Sequence, residues 1–329
     1  MKYRHIVPLV ALAVAAVLLP WAWKSPHWLG VLVLTSYYIV LTSSWNLMMG
    51  YAGLFSFAHT ALAAIGGYAS GLLAVKLGVP PPLGILLGGL SASLASLVLG
   101  LLSLRLRGFY LCLVTWAFAE IAVGVFRVQY ELTGGTMGLV VPQLFPMEAG
   151  KMPFYYVGLG LVVAVLVFMV LLSRSRAGIY LRSIRDDEMA SEALGVDTVL
   201  WKIICFTVCG FWAGLAGAFY GHYIGVVDPG MGSLSEMGLV ILMVIIGGMG
   251  TIAGPVLGAI LVMVLSELLR GSLAAMSMLI FALAMILVMR FAPGGLMAGL
   301  HRLVRTRPQS PPPRPLPGAD TAGPSSTQP

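Results

Sequence analysis

The sequence predicts an all-α, polytopic membrane protein with about ten transmembrane helices, and three observations carry the prediction. Of its 329 residues, 59% are hydrophobic and only 9% are Asp, Glu, Lys or Arg, giving a mean hydropathy of +0.96. A soluble domain has no use for so much apolar surface, because its outside must face water. Apolar windows of roughly 20 residues, the length that crosses a bilayer as a helix, recur along the chain. Glycine reaches 40 residues, which suits membrane helices that pack closely through small side chains.

The windows fall at 6–23, 28–49, 53–75, 83–104, 108–127, 154–172 and 201–225, with a last one at 273–289. Lys2, Arg4 and His5 precede the first as they would in a signal peptide. However, "VLLPWAWKS" offers no small-x-small cleavage site, so 6–23 reads as a retained anchor. From 237 to 270 the apolar run is too long for one span and is broken by "GGMGTIAGP", Gly247 to Pro255. Glycines and a proline inside such a run mark a turn or a broken helix, whose backbone must be buried in protein or meet water. The expectation is two short helices, 237–248 and 255–270, in a hairpin that either crosses or re-enters.

Charge orients the spans. With Lys2 and Arg4 inside, alternation puts Arg105, Arg107 and the Arg174–Arg185 cluster inside, and leaves the sparsely charged loops 127–153 and 226–236 outside. A hairpin with an even number of crossings also brings Arg290, Arg302, Arg305 and Arg307 inside. Both termini are then cytoplasmic, with about ten spans, or about eight plus a re-entrant pair. Residues 1–305 read as one membrane domain. The last stretch, 306–329, carries eight prolines, cannot bury a core, and reads as a disordered cytoplasmic tail.

Against this background the segment "RSIRDDEMASEALGVDTVLWK" stands out. The chain has 19 Lys and Arg and 12 Asp and Glu, and ten of these charges lie between Arg174 and Lys202. Asp186 and Asp187 sit where a helix would start, since carboxylates satisfy free N–H groups and favour the positive end of the dipole. Met189, Ala190, Ala193 and Leu194 follow on one face and Glu188, Ser191 and Glu192 on the other. Gly195 is placed to close the helix in a left-handed cap. A two-turn helix is too short to stand alone. The loop 173–200 is therefore either a solvated connector or an element that rests on its own membrane domain or on another protein.

Several function classes lose support. No H-E-x-x-H, G-x-S-x-G or Walker A sequence occurs, and "GKM" at Gly150–Met152 lacks the rest of a phosphate loop. The net charge of +7 belongs to orientation in the membrane rather than to nucleic acid. Cys112, Cys205 and Cys209 lie in apolar runs without His or acid at ligand spacing, so no metal is expected. Glu120, near the middle of its span, is the candidate for an intramembrane acid, either lining a pathway or coupling an ion; Asn46, His59 and His222 are the other polar groups in or beside spans. Gly210/Gly214, Gly217/Gly221/Gly225 and Gly250/Gly254/Gly258 repeat at the spacing that lets helices approach closely.

The order of several fragments resembles a known family. They are "NLMMGYAGLFSFAHTALAAIGGYASGLL", "LRLRGFYLCLVTWAFAEI", "LTGGTMGL", "SRAGIYLRSIRDDEMASEALGVDTVLWKI", "GLAGAFYGHYIGVVDP", "VIIGGMGTIAGPVLGA" and "FAPGGLMAG", from about Leu41 to Leu300. In this order they resemble the LivM-type permease subunit of bacterial branched-chain amino acid ABC importers. The resemblance implies an all-helical fold similar to that of the vitamin B12-type importers, in the bacterial inner membrane. It implies a second homologous permease, two cytoplasmic ATP-binding subunits that bind ATP and Mg, and a periplasmic solute-binding protein as partners, with no cofactor on this chain. It makes the charged segment the element that docks on the ATPase, with Arg185, Asp186, Asp187, Glu188, Glu192, Ala193 and Gly195 as coupling residues. Ala190 and Ala193 would allow close approach to the docking groove, and Glu188 and Glu192 would offer their carboxylates to basic residues lining it. Asn46, His59, Glu120, Gly134, Gly135, Gly247 and Gly248 become candidates for the pathway or its gates. The consecutive glycines Gly134 and Gly135 are read either as an anion-binding nest or as a tight turn. Ala58 stands where the family commonly has glycine and Gly294 where it often has arginine. Relatives carrying urea or short amides leave the solute open, and an ion-coupled carrier using Glu120 is the rival from another class.

Overall fold

A computed structural model describes residues 25–102, 106 and 108–269, with positions 283, 286, 290 and 295–297 beyond them. Helix α1 (Pro26–Asn46) opens with a proline in its first turn, where the missing N–H has no partner to lose, and runs on into one π-helical turn, Leu47–Tyr51. Helix α2 (His59–Leu77) closes on Gly78 with φ +64°. Helices α3 (Pro81–Leu102), α4 (Phe109–Val128) and α5 (Met152–Arg174) follow, then two polar helices, α6 (Arg176–Asp186) and α7 (Glu188–Ala193). Helix α8 (Thr198–Ile224) is the longest, and α9 (Leu234–Gly247) and α10 (Ala253–Leu269) complete the described fold.

Among the described residues, six helices are long and apolar enough to cross a membrane: α1 with its π turn, α2, α3, α4, α5 and α8. This corrects the expectation of about ten spans. The arms of the glycine-broken hairpin have 14 and 17 residues, which rise only about 21 and 25 Å, short of the roughly 30 Å hydrocarbon core. What stops them is the tip, where Gly248 and Gly250 take φ +118° and +74°, conformations closed to other residues. The tip packs against Gly50 at the end of the π turn, whereas Glu267 near the end of α10 meets His27 at the start of α1, 2.7 Å apart. The expected spans 6–23 and 273–289, apart from positions 283 and 286, and the tail 306–329 lie outside the described residues.

The core forms where glycines bring helix backbones together. A Cβ on Gly217 of α8 would strike the backbone of Ala63 in α2; one on Gly214 would strike Ala92 of α3, and one on Gly210 would strike Ser96. In the hairpin, Gly258 lies on the carbonyl of Met243, and Gly247 on that of Gly254. Trp45, Phe206, Phe219 and Met237 are fully buried between these contacts. The four-residue glycine spacing thus does the packing expected of it. Cys205 and Cys209 are buried free thiols one turn apart on α8.

One feature departs from an all-helical chain. Leu139–Val140 (β1) pairs antiparallel with Val226–Val227 (β2), Leu139 opposite Val227 and Val140 opposite Val226. This ribbon ties the loop after α4 to the end of α8, at the opposite end of the molecule from α6 and α7.

Candidate functional site

The charged segment folds as two helices rather than one. Ser175 caps α6, its hydroxyl accepting from the N–H of Gly178, and Gly178, Leu181 and Ile184 turn inward at one-turn spacing. Asp187 then caps α7, its Oδ1 accepting from the Ala190 N–H at 3.0 Å. Gly195 follows with φ +85° and open space around it, so its glycine serves backbone conformation and not room. The start at Asp187 and the close at Gly195 match the sequence reading. Asp186 ends α6 instead of starting α7, and its exposed carboxylate receives Arg185 at 2.9 and 3.1 Å.

The acidic face is tied to the chain more than the sequence suggests, although Glu192 stays exposed. The acids expected to reach a partner are held by the chain itself: Lys202 Nζ donates to Glu188 Oε1 at 2.5 Å, and Thr198 Oγ1 donates to Glu192 Oε1 at 2.6 Å. Ser191, between them in sequence, is buried. The apolar face is open as well, with Met189 69% and Leu194 86% exposed and Ala190 and Ala193 exposed between them.

From this platform a line of polar contacts runs to the hairpin tip. Arg185 Nη1 donates to the carbonyl of Gly50 in the π turn at 2.7 Å, and the Arg182 guanidinium lies over the Tyr51 ring at 5.3 Å while donating to the Ser173 carbonyl. The approach is close enough that a Cβ on Gly53 would meet Arg185 at 2.9 Å. One turn earlier in α1, the buried side chain of Asn46 accepts from the Gly250 N–H at 2.8 Å and donates to the Thr251 carbonyl at 2.9 Å. A cleft of about 510 Å³ opens among Tyr51, Arg182, Arg185, Gly250 and Thr251, and a second of about 400 Å³ among Gly53, Phe55, Cys112, Asp187 and Lys202. Charged side chains of the segment, a carbonyl of the π turn and the hairpin tip are therefore one connected surface. Asn46, Arg185, Asp186 and the hairpin glycines are brought together and Asp187 and Glu188 line the second cleft, whereas His59, Glu120, Gly134 and Gly135 lie elsewhere.

Gly134 and Gly135 sit at the ribbon end with φ +73° and +61°. The N–H of Gly134 is taken by the Tyr130 carbonyl and that of Gly135 by Thr133 Oγ1, at 3.0 and 3.3 Å. The turn is structural and offers these two donors to no anion. His59 is fully buried, with Nε2 2.7 Å from Ser44 Oγ and no partner on Nδ1. His222 bridges Ser70 Oγ and the Pro142 carbonyl, at 2.8 and 2.7 Å. Glu120 is exposed on α4 and accepts from Trp116 Nε1 at 3.3 Å. Gly247 and Gly248 shape the hairpin.

Two features went unseen in the sequence. Helix α6 has its own cap-and-stripe signal, S-x-x-G followed by Leu181 and Ile184, which the density of charge obscured. Glu236 opens α9 in the pattern "SLSE", with Ser233 capping its N–H and its carboxylate accepting from Tyr38 OH at 2.9 Å. The S-x-x-E spacing is the sign that a helix begins there. Among the described residues no group of three or more His, Cys, Asp or Glu is placed to hold a metal ion.

Comparison with known proteins gives this surface a context. The model of the family described as branched-chain amino acid transport system / permease component matches residues 28–289. The high-affinity branched-chain amino acid transport system permease protein LivM of Escherichia coli K12 is 33% identical over 328 residues, which cover 92% of this chain and 75% of that protein. The protein of the same name from Salmonella typhimurium is 32% identical with the same coverage. The corresponding permease protein LivH of Escherichia coli K12 is 24% identical, covering 80% of this chain and 92% of that protein. No solved structure matches the chain.

Proposed function

The chain belongs to the branched-chain amino acid transport permease family, and from that premise we propose that it is one of two related membrane subunits of an ATP-driven importer. It forms, with the second permease, the path for branched-chain or similar amino acids delivered by a periplasmic binding protein. Similarity to relatives named both LivM and LivH supports a pair of homologous, unlike permeases. No phosphate-binding loop occurs in the sequence, so ATP and Mg²⁺ belong to two partner subunits on the cytoplasmic side. Arg174, Arg176, Arg182 and Arg185 gather at the end that carries α6 and α7, which favours that end as cytoplasmic. The same rule puts Lys2, Arg4 and the basic residues Arg302, Arg305 and Arg307 in the cytoplasm of a bacterial cell, beneath its inner membrane.

The observation that carries the reading is the outward apolar face of α7. A six-residue helix fixed at its cap, its polar side tied to Lys202 and Thr198, presents Met189, Ala190, Ala193 and Leu194 as a small knob. Such a knob fits a groove on an ATP-binding subunit, and the contacts from Arg185 to Gly50 and from Asn46 to Gly250 carry its displacement to the hairpin. Purification of the chain from gently solubilised native membranes tests this, beside a Met189→Glu, Leu194→Glu variant. ATP-binding subunits should accompany the wild type and be depleted from the variant. A wild-type chain that emerges well folded and alone would overturn the proposal.

A further inference from the structure

Helix α4 touches the rest of the molecule along a single stripe. Leu111, Thr115, Ala119 and Val123, four residues apart, are its buried positions, and the hydroxyl of Thr115 accepts from the Phe57 N–H. The opposite face, with Leu113, Ala117, Glu120 and Gly124 along it, is turned away from the other described residues. Glu120 is the twelfth of the twenty residues of α4, which sets it about 17 Å along the helix and near the bilayer midplane. Among the described residues it is the one ionisable side chain that is both exposed and more than two turns from either end of a membrane helix.

Lipid does not suit this face. A carboxylate turned into hydrocarbon at mid-depth is strongly disfavoured, and charged groups in membrane helices face protein or a water-filled path. The exposed face of α3 shows the contrast: Leu83, Leu86, Leu90, Leu94 and Leu101 cover it without an ionisable group. Around Glu120 the neighbours along the helix are also small. Ala117 and Gly124 lie one turn to either side, and a Cβ built on Gly124 meets nothing within 4 Å. Trp116, 43% exposed, stands beside the carboxylate and donates to it. A carboxylate, an exposed indole and room for a small solute are the elements of a site for an ammonium group.

We propose that α4 is the wall this chain contributes to the solute path between the two permeases, and that Glu120 with Trp116 binds the ammonium group of an amino acid on its way through. The inference rests on the importer reading above, and it names a waypoint for the solute within that path. The carboxylate attracts the ammonium end, while Ala117 and Gly124 leave space for the remainder. Binding there is brief by construction, because an open face with one ion pair holds a solute less firmly than an enclosed pocket.

The test uses the assembled transporter in membranes, with the native cysteines replaced by alanine. An impermeant, water-soluble methanethiosulfonate reagent should modify Ala117→Cys and leave Leu90→Cys on α3 untouched. Excess leucine should slow modification of Ala117→Cys, 4-methylpentanoate, its counterpart without the amine, should not, and Glu120→Gln should remove the protection. Leucine uptake by the Glu120→Gln transporter should fall about tenfold, with partial recovery in Glu120→Asp, as expected for the loss of one partly desolvated charge pair. Ala117→Cys as inert as Leu90→Cys, or protection and uptake unchanged by Glu120→Gln, would overturn the inference while leaving the importer reading intact. Absence of amino acid uptake by the wild-type complex would instead overturn the importer reading, and the labelling, which needs no transport, still decides whether α4 lines a wet path.

Discussion

Arg185 and Gly50 lie 135 positions apart in the sequence, yet the guanidinium Nη1 donates to the Gly50 carbonyl at 2.7 Å. The carbonyl is available because Gly50 lies in the last turn of the helix, where carbonyls have no intrahelical partner. The same guanidinium holds Asp186 through Nε and Nη2, so the junction between α6 and α7 is pinned to α1 at one residue. Four positions before Gly50, Asn46 grips the hairpin tip. The polar helices and the hairpin tip are thus both tied to the end of α1 through hydrogen bonds to backbone atoms.

Replacement of Asn46 should loosen the tip. Asn46→Ala leaves the Gly250 N–H and the Thr251 carbonyl without their partner in a part-buried site, at roughly 1–3 kcal/mol for each orphaned group. Asn46→Asp keeps an acceptor for Gly250 and loses the donor to Thr251, so it should fall between. Thermal unfolding of the purified protein in detergent should rank the three as wild type, Asp, Ala, and equal midpoints for wild type and Ala would show that the clamp is idle.

The Lys202–Glu188 pair is nearly enclosed, its side chains 9% and 20% exposed. Removing one member strands the other charge. Lys202→Met should destabilise by about 3–5 kcal/mol, and Lys202→Met with Glu188→Leu should recover most of that loss. A double-mutant cycle on the unfolding free energy reads the coupling directly, and additive effects of the two substitutions would dismiss it.

Much of this architecture was legible in the sequence, for reasons that differ from place to place. The α7 cap at Asp187 and the left-handed Gly195 follow local rules that need no tertiary knowledge. The hairpin was marked by "GGMGTIAGP", and the glycine repeats of α8 announced close packing. Hydropathy gave the number of spans less well, because it registers an apolar run without knowing that the tip at Gly248 and Gly250 cuts the arms to less than a membrane's thickness. The hold on Glu188 was not foreseen, because acids are ordinarily taken to face solvent. Glu188 is turned inward by Lys202, a lysine fourteen residues later in the chain, at a contact visible only once α8 is packed. Asn46 was singled out for its polarity alone; its partners are backbone atoms about two hundred residues away, and backbone leaves no trace in side-chain pattern.

Glycine substitutions should separate packing from conformation. Gly217→Ala pushes a methyl group into the Ala63 backbone, an overpacking that should remove about 1–3 kcal/mol. Gly124→Ala meets open space in a helix interior, where alanine is favoured by up to about 1 kcal/mol. Yield and midpoint of thermal unfolding should therefore drop for the first and hold or rise for the second. The reverse order would mean that the α2–α8 contact is not what sets stability.

Glu192 distinguishes two accounts of how the chain meets its ATP-binding partner. If the acids of α7 made the contact, reversing Glu192 would be the most damaging change. The structure instead engages its carboxylate with Thr198 Oγ1 at 2.6 Å and turns Leu194 outward. Glu192→Gln retains an oxygen to accept from Thr198 and should leave co-purification of the ATP-binding subunits within about twofold of wild type, a neutral hydrogen bond being weaker by only a fraction of a kcal/mol to about 1 kcal/mol. Leu194→Glu, which changes no hydrogen bond of the helix, should reduce it by tenfold or more, because an apolar side chain at the centre of a small contact is commonly worth about 2 kcal/mol. Equal circular dichroism spectra and unfolding midpoints for the two variants would show that docking and not folding has been read. Loss of the partners with Glu192→Gln and their retention with Leu194→Glu would reverse the assignment of the two faces.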